Sequence, residues 1–134
     1  MSADPRSPAI KHRMQWLDHR LIEQIIDGRK SATVRRVEES AGIDDYNTAL
    51  HVGAVYQVFD AERQPRVAIR LTAIELARWG NLPEALWQRD PAVSGEVSEA
   101  AFRADHVDYF AHPSDDFEFL ALYFDPLPSA GLPE

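Results

Sequence analysis

The sequence has no cysteine among its 134 residues, which excludes structural disulfides and zinc sites built on thiolates. It also has no apolar run near the roughly 18 residues that span a bilayer, so we expect no membrane partner. The N-terminal residues lack the apolar core of a secretory signal, which favours a cytoplasmic protein. Its five histidines show no metal-ligand spacing, so we expect no bound metal and no cofactor.

Positive charge is scarce as well. The chain carries 14 lysines and arginines against 22 acidic residues, for a formal net charge of -8. Tight binding to duplex nucleic acid depends on many phosphate contacts, and a negative chain repels a polyanion at long range. We therefore expect weak or no duplex DNA binding. A local cationic site remains compatible with a nucleoside or a short single-stranded RNA.

The length fits one domain with a core of its own. We expect a flexible arm over 1–13, a domain over 14–126 and a tail over 127–134. Apolar periodicity predicts a helix over 16–26, ended by Gly28 in a left-handed conformation. Strands are predicted at 33–37, 52–59, 66–77 and 117–124, with helices at 82–88 and from Ser98 onwards. A parity switch in the third strand predicts a bulge near Ala73.

The acidic stretch 38–48 shows no periodicity, and it is long enough to act as a lid over a site. A solvated acidic loop is the alternative. Loop aromatics are candidate surfaces for base stacking, although any single aromatic is more often a core residue. The candidates are Tyr46, Trp79 and Trp87. His106 lies on the apolar stripe of its helix and is expected to be a hydrogen-bonded structural residue.

The segment after Gly28 concentrates positive charge, with Arg29, Lys30 and two further arginines within eight residues. A threonine hydroxyl becomes a nucleophile when a base takes its proton, and a lysine among other cations can be that base. Thr33 shares a site with Lys30 only if the lysine lies in the turn before regular strand alternation begins. Alternation puts Arg35 on the face of Thr33, where its planar fork suits a phosphate or a pyrimidine carbonyl. On spacing alone, an exposed lysine and an ordinary strand threonine are the more common arrangement.

The pattern G-x-K-x-x-T-x-R, from Gly28 to Arg35, follows a short helix, and the predicted strands and helices come after it in a set order. Together they resemble the ASCH domain family over roughly residues 14–125. The resemblance implies an α+β fold related to PUA: a small β-barrel of five or six mostly antiparallel strands with two or three flanking helices.

The resemblance also implies chemistry. Some small bacterial ASCH proteins are amidohydrolases acting on N4-acetylcytidine through a threonine, a lysine three residues earlier and a glutamate, and other relatives suggest ribonuclease activity. Thr33 and Lys30 match the first two positions, and the glutamate's place falls on Asp90, one methylene shorter. Glu96 is the nearest glutamate, and Arg29 and Glu96 complete the expected ligand-binding set. A non-catalytic RNA-binding or regulatory module and a protein–protein adaptor remain open alternatives.

Overall fold

A computed structural model of the chain describes residues 12–37 and 46–127. Most of the expected arm and tail, and residues 38–45 of the expected lid, lie outside that part. The elements in chain order are β1 (His12–Gln15), α1 (His19–Ile26), β2 (Ala32–Arg36), β3 (Val55–Phe59), β4 (Pro65–Arg78), α2 (Glu84–Arg89), α3 (Glu99–His106) and β5 (Glu118–Pro126). None of these helices is long and apolar enough to cross a membrane.

The five strands form one curled, half-barrel sheet in the order β1-β3-β4-β5-β2. β1 pairs with β3 in parallel, and the other three pairings are antiparallel. With three helices beside this sheet, the fold is α+β and PUA-like, as the sequence predicted. The strand β1 was not predicted: His12 and Arg13 were assigned to the flexible arm. Its four residues carry little β signal, and pairing with β3 together with the burial of Met14 orders them.

Helix α1 is shorter than predicted at its N-terminal end. It begins at His19 because the side chain of Asp18 caps the first turn by accepting a hydrogen bond from the amide of Arg20. Leu17, which the periodicity placed inside the helix, lies in the preceding connection and is 74% exposed. The C-terminal prediction is confirmed, since Gly28 has a φ of 82° directly after the helix.

The long strand β4 contains the predicted bulge. Leu71 pairs with Phe124 and Ala73 pairs with Tyr123, so Thr72 is the extra residue. The apolar side chains therefore change faces at this point. β3 begins later than predicted, at Val55, because the preceding residues form a turn.

A hydrophobic core lies on each face of the sheet. The first core includes residues of α1, β3 and the first half of β4: Ile22, Ile25, Tyr56, Val58, Ile69, Leu71 and, from β5, Leu122 and Phe124. The second core involves α2 and α3: Leu86, Phe102, Phe110, Phe119, Ala121 and Tyr123. In β2, Ala32 and Val34 pack into the second core, so Thr33 and Arg35 face the side of the first.

Candidate functional site

Lys30 is positioned by the way α1 ends. The amide of Gly28 donates to the carbonyl of Ile25 at 3.0 Å, and the amide of Arg29 donates to that of Gln24 at 2.9 Å. These two hydrogen bonds form a Schellman motif. The amide of Lys30 also donates to the Gln24 carbonyl, at 3.0 Å. The lysine therefore lies in the turn, ahead of the regular alternation of β2, which is the placement that a site shared with Thr33 requires.

Asp90 is positioned by contacts on both sides of it. The amide of Ser31 donates to the carbonyl of Arg89 at 2.8 Å, and the Arg89 guanidinium donates back to the Ser31 hydroxyl at 2.8 Å. Beyond the aspartate, the side-chain amide of Gln24 donates to the carbonyl of Ala92 at 2.8 Å. The segment that carries Asp90 is thus tied to the end of α1 and to the start of β2.

Lys30 and Asp90 form an ion pair inside the protein, here called the buried pair. The lysine Nζ lies 2.5 Å from Asp90 Oδ1 and 2.9 Å from the carbonyl oxygen of Ala32. Each side chain of the buried pair is only 2% exposed. The expectation of an exposed lysine is therefore wrong. The ammonium is stable in this position because a carboxylate and a carbonyl replace the water it has lost.

The contact with Ala32 brings the lysine ammonium close to the backbone at Thr33, whose side chain faces the side of the first core. Phe124 donates its amide to the carbonyl of Ser31, so Ala32 belongs to a non-hydrogen-bonded pair and its carbonyl points away from β5. The ammonium meets this carbonyl at the outer edge of β2. Nζ of Lys30 consequently lies against the peptide bond that leads into Thr33.

Thr33 is itself buried, at 7% exposure, opposite Leu122 of β5. Arg35 is on the same face, with its guanidinium carbon 5.9 Å from the centre of the Trp16 ring. Arg36 points to the opposite face, over the ring of Tyr109. Of the two arginines, Arg35 therefore shares the face of the threonine.

The imidazole of His106 lies next to the Asp90 carboxylate of the buried pair. Nε2 of His106 is 3.6 Å from Asp90 Oδ2, an oxygen that is buried and has no hydrogen-bond partner among the residues described. Nδ1 of His106 lies 2.8 Å from the carbonyl oxygen of Phe102. That bond agrees with the structural role expected from the sequence. The proximity of His106 to Asp90 had no signal in the sequence, because Asp90 follows α2 and His106 ends α3.

The expected stacking aromatics are more enclosed than their loop positions indicated. Trp79 is 7% exposed, with the Arg103 guanidinium 5.1 Å from its ring and Phe110 at 5.9 Å. It is a core aromatic rather than a surface for a base. Trp87 packs partly buried against the second core, and Tyr46 is half-buried.

The remaining candidates do not touch the buried pair. Arg29 is exposed and forms an ion pair with Asp27 at 3.1 Å. Glu96 is exposed and accepts a hydrogen bond from the Ser98 hydroxyl at 2.8 Å. The acid beside the lysine is Asp90. No cluster of ligating side chains suited to a metal ion occurs within 12–37 and 46–127.

A pocket of about 700 Å³ lies between the β4 bulge and α2, and Arg89 forms part of its wall. It is lined by Thr72, Glu75, Pro83 and Tyr123 among others. The Tyr123 hydroxyl donates to Glu75 at 3.0 Å, and burial together with this carboxylate raises the pKa of Tyr123 to about 12. The tyrosine is therefore a neutral hydrogen-bond donor at physiological pH.

No protein-family model matches the chain, and no curated protein sequence matches it. Solved structures do. An ASCH domain from Lactobacillus crispatus JV V101 superposes with a TM-score of 0.69 at 14% identity, over 86% of this chain and 79% of that one. A DUF984 protein from Enterococcus faecalis V583 gives 0.57 at 16% identity, over 87% and 80%. A mutant of the Zymomonas mobilis ASCH protein gives 0.50 at 17% identity, over 89% and 72%. At these identities the similarity concerns the fold: the chain adopts the fold of an ASCH domain.

Proposed function

We propose that this ASCH-fold chain binds a nucleoside or a short single-stranded RNA and hydrolyses an amide on an acylated pyrimidine nucleoside. The observation that carries the proposal is the buried pair, whose lysine lies against the peptide bond leading into Thr33. A lysine that a carboxylate orients can serve as the base that activates a hydroxyl nucleophile. The Asp90 side chain reaches the lysine at 2.5 Å, so the missing methylene does not prevent the pairing.

In the proposed reaction, Oγ of Thr33 attacks the carbonyl carbon of the amide while the neutral amine of Lys30 takes the hydroxyl proton. The proton then passes to the leaving nitrogen as the carbon–nitrogen bond breaks, which leaves an ester on the threonine. Water hydrolyses the ester, again with Lys30 as base. Asp90 fixes the direction of Nζ throughout, and Arg35, on the face of Thr33, provides a planar donor for a pyrimidine carbonyl or a phosphate.

The test is turnover of a panel of N-acylated nucleosides, followed by mass spectrometry with the purified protein. Thr33→Val keeps the β-branched shape and deletes only the hydroxyl, so we expect it to fold normally and to lose turnover. Thr72→Val is the matched control, because the hydroxyl of this threonine donates to the carbonyl of Tyr123 in the β4 bulge and bonds neither member of the buried pair, and we expect it to retain turnover. Full activity of Thr33→Val would exclude the threonine as the nucleophile.

Binding without hydrolysis is the second candidate. Both hydrogen bonds of the Lys30 ammonium go to groups of the fold itself, which also suits a purely structural pair. In that case the wild-type protein binds a nucleoside or a short RNA without changing it. Thr33→Val then leaves the affinity almost unchanged, whereas Arg35→Ala weakens it. Product formation by the wild-type protein excludes this candidate.

A further inference from the structure

The two oxygens of the Asp90 carboxylate differ in their hydrogen bonding. Oδ1 accepts a hydrogen bond from Lys30 at 2.5 Å. Oδ2 is equally enclosed, and it has no hydrogen-bond partner in the part of the chain that the structure describes. An unpaired buried carboxylate oxygen is costly, so a donor for it is expected nearby. The imidazole of His106 is a candidate, because its Nε2 lies 3.6 Å from Oδ2.

The hydrogen bond at Nδ1, on the far side of the His106 ring, determines whether Nε2 carries a hydrogen. A backbone carbonyl only accepts, so the 2.8 Å contact with Phe102 requires the hydrogen on Nδ1 of His106. In the neutral ring, Nε2 is then a bare lone pair that faces a carboxylate oxygen. Protonation at Nε2 converts this unfavourable contact into a charged hydrogen bond, once the ring moves by roughly half an ångström to reach normal bonding distance.

The proposed mechanism also needs a place for a proton. Lys30 acts as a base only as a neutral amine, whereas in the ion pair with Asp90 it is an ammonium. Among the described residues, the charged and titratable groups that face His106 are the Asp90 carboxylate, 3.6 Å from Nε2, and the Tyr109 ring at 6.5 Å. Arg36 of β2 lies beyond that ring, 5.6 Å from its centre.

We propose that His106 is a positioning residue that holds the proton Lys30 gives up, with the carboxylate of Asp90 between the two bases. This inference rests on the proposed amide hydrolysis. The net step moves one proton from Nζ of Lys30 to Nε2 of His106. The lysine becomes a neutral amine, the histidine becomes an imidazolium, and the aspartate remains an anion, so the total charge of the three groups does not change. Asp90 has an ion-pair partner in both states: the ammonium of Lys30 at Oδ1 in the first, and the imidazolium of His106 at Oδ2 in the second.

The first test uses no substrate. Nitrogen-15 spectra of the histidine rings report the tautomer and the pH at which each ring gains its second proton. We expect neutral His106 to carry its hydrogen on Nδ1. In Asp90→Asn its titration midpoint should fall, and in Lys30→Met it should rise by at least half a pH unit. His112 is the matched control, because it is exposed and paired with Asp108 at 3.1 Å, and its midpoint should stay constant.

A hydrogen on Nε2 of neutral His106, or a midpoint that ignores both replacements, would overturn the proposal. If either variant fails to fold, the tautomer in the wild-type protein decides by itself. Failure of the proposed hydrolysis is a separate result, because it leaves these spectra unaffected.

The second test separates proton storage from hydrogen bonding. The amide nitrogen of a glutamine takes the place of Nε2 and donates to Asp90 Oδ2, but it does not accept a proton. His106→Gln should therefore keep the thermal stability of the wild type, while the pH profile of turnover moves by about one pH unit or its rate falls at least tenfold. His106→Asn, which is too short to reach Asp90, should lose stability as well. A wild-type pH profile and rate in His106→Gln would overturn the role assigned to the histidine.

Discussion

Single side chains of the buried pair carry a measurable share of the stability. Lys30→Met removes the ammonium and leaves the carboxylate of Asp90 enclosed without its partner. Breaking a buried ion pair from one side typically costs about 3–5 kcal/mol. We expect a loss of that size in the free energy of unfolding, measured by urea denaturation. The same reasoning applies to Asp90→Leu.

The double variant and an exposed pair supply the controls. Lys30→Met combined with Asp90→Leu removes both charges, so it should recover most of the stability that either single change loses. Arg29→Ala breaks the exposed pair with Asp27 and should cost less than about 1 kcal/mol. A cost for Lys30→Met as small as that of Arg29→Ala would mean that the lysine is solvated in solution.

The side chain of Asp60 makes the free energy of unfolding depend on pH. Backbone hydrogen bonds from Gln64 and Glu62, with the charge of Arg66 nearby, lower the pKa of Asp60. A lowered pKa means that the folded state favours the ionised carboxylate, so this contribution is present above the unfolded value near 4 and is lost as the pH falls through the folded value. Asp60→Asn should therefore reduce stability more at pH 7 than at pH 2.5, as measured by urea unfolding at both. An equal reduction at both pH values would assign its effect to shape rather than to charge.

At the level of elements, the end of α1 links backbone geometry to the site. Gly28 has a φ of 82°, and a Cβ added there would meet no atom within 4 Å. Gly28→Ala should therefore cost about 1–2 kcal/mol through backbone strain alone. Gly53→Ala is a matched control with a φ of 93° and equally open surroundings, in the turn before β3. Both variants should lose similar stability by thermal unfolding, whereas only Gly28→Ala should also impair turnover, because it displaces Lys30. Equal turnover in the two variants would contradict the link between this turn and the site.

Some features of these elements could be predicted from the sequence, and others could not. The stop of α1 at Gly28 and the bulge at Thr72 were predictable because each has a local signal: a glycine after an apolar run and a switch of apolar parity. β1 was not predictable, since its order comes from pairing with a strand more than 40 residues later. The burial of Lys30 depends in the same way on Asp90, which is 60 residues away. Local patterns thus singled out Lys30 and Thr33 as candidates, the family resemblance added Asp90, and contacts distant in sequence determine their surroundings.

For the whole molecule, the two cores and the charge balance define the setting of the site. The sheet separates the cores, and the buried pair lies at the outer edge of β2, where α1 ends and α2 ends. The candidate site therefore draws on segments from both faces of the sheet. The rest of the chain is acidic, with a net charge of -8. This combination favours a ligand that brings few phosphates.

That charge balance leads to a prediction about salt. A nucleoside or a short single strand that meets one or two cations near Arg35 should bind with a shallow dependence on salt. Each neutralised phosphate of a single strand contributes a slope of about -0.7 to the plot of log K against log salt, so the slope should lie between about -0.7 and -1.4. Fluorescence titration of a labelled short RNA at several salt concentrations measures it, with a duplex of equal length as the comparison. Duplex binding that is tight at physiological salt and has a slope steeper than about -4 would mean that an extended basic surface, rather than this local site, reads the nucleic acid.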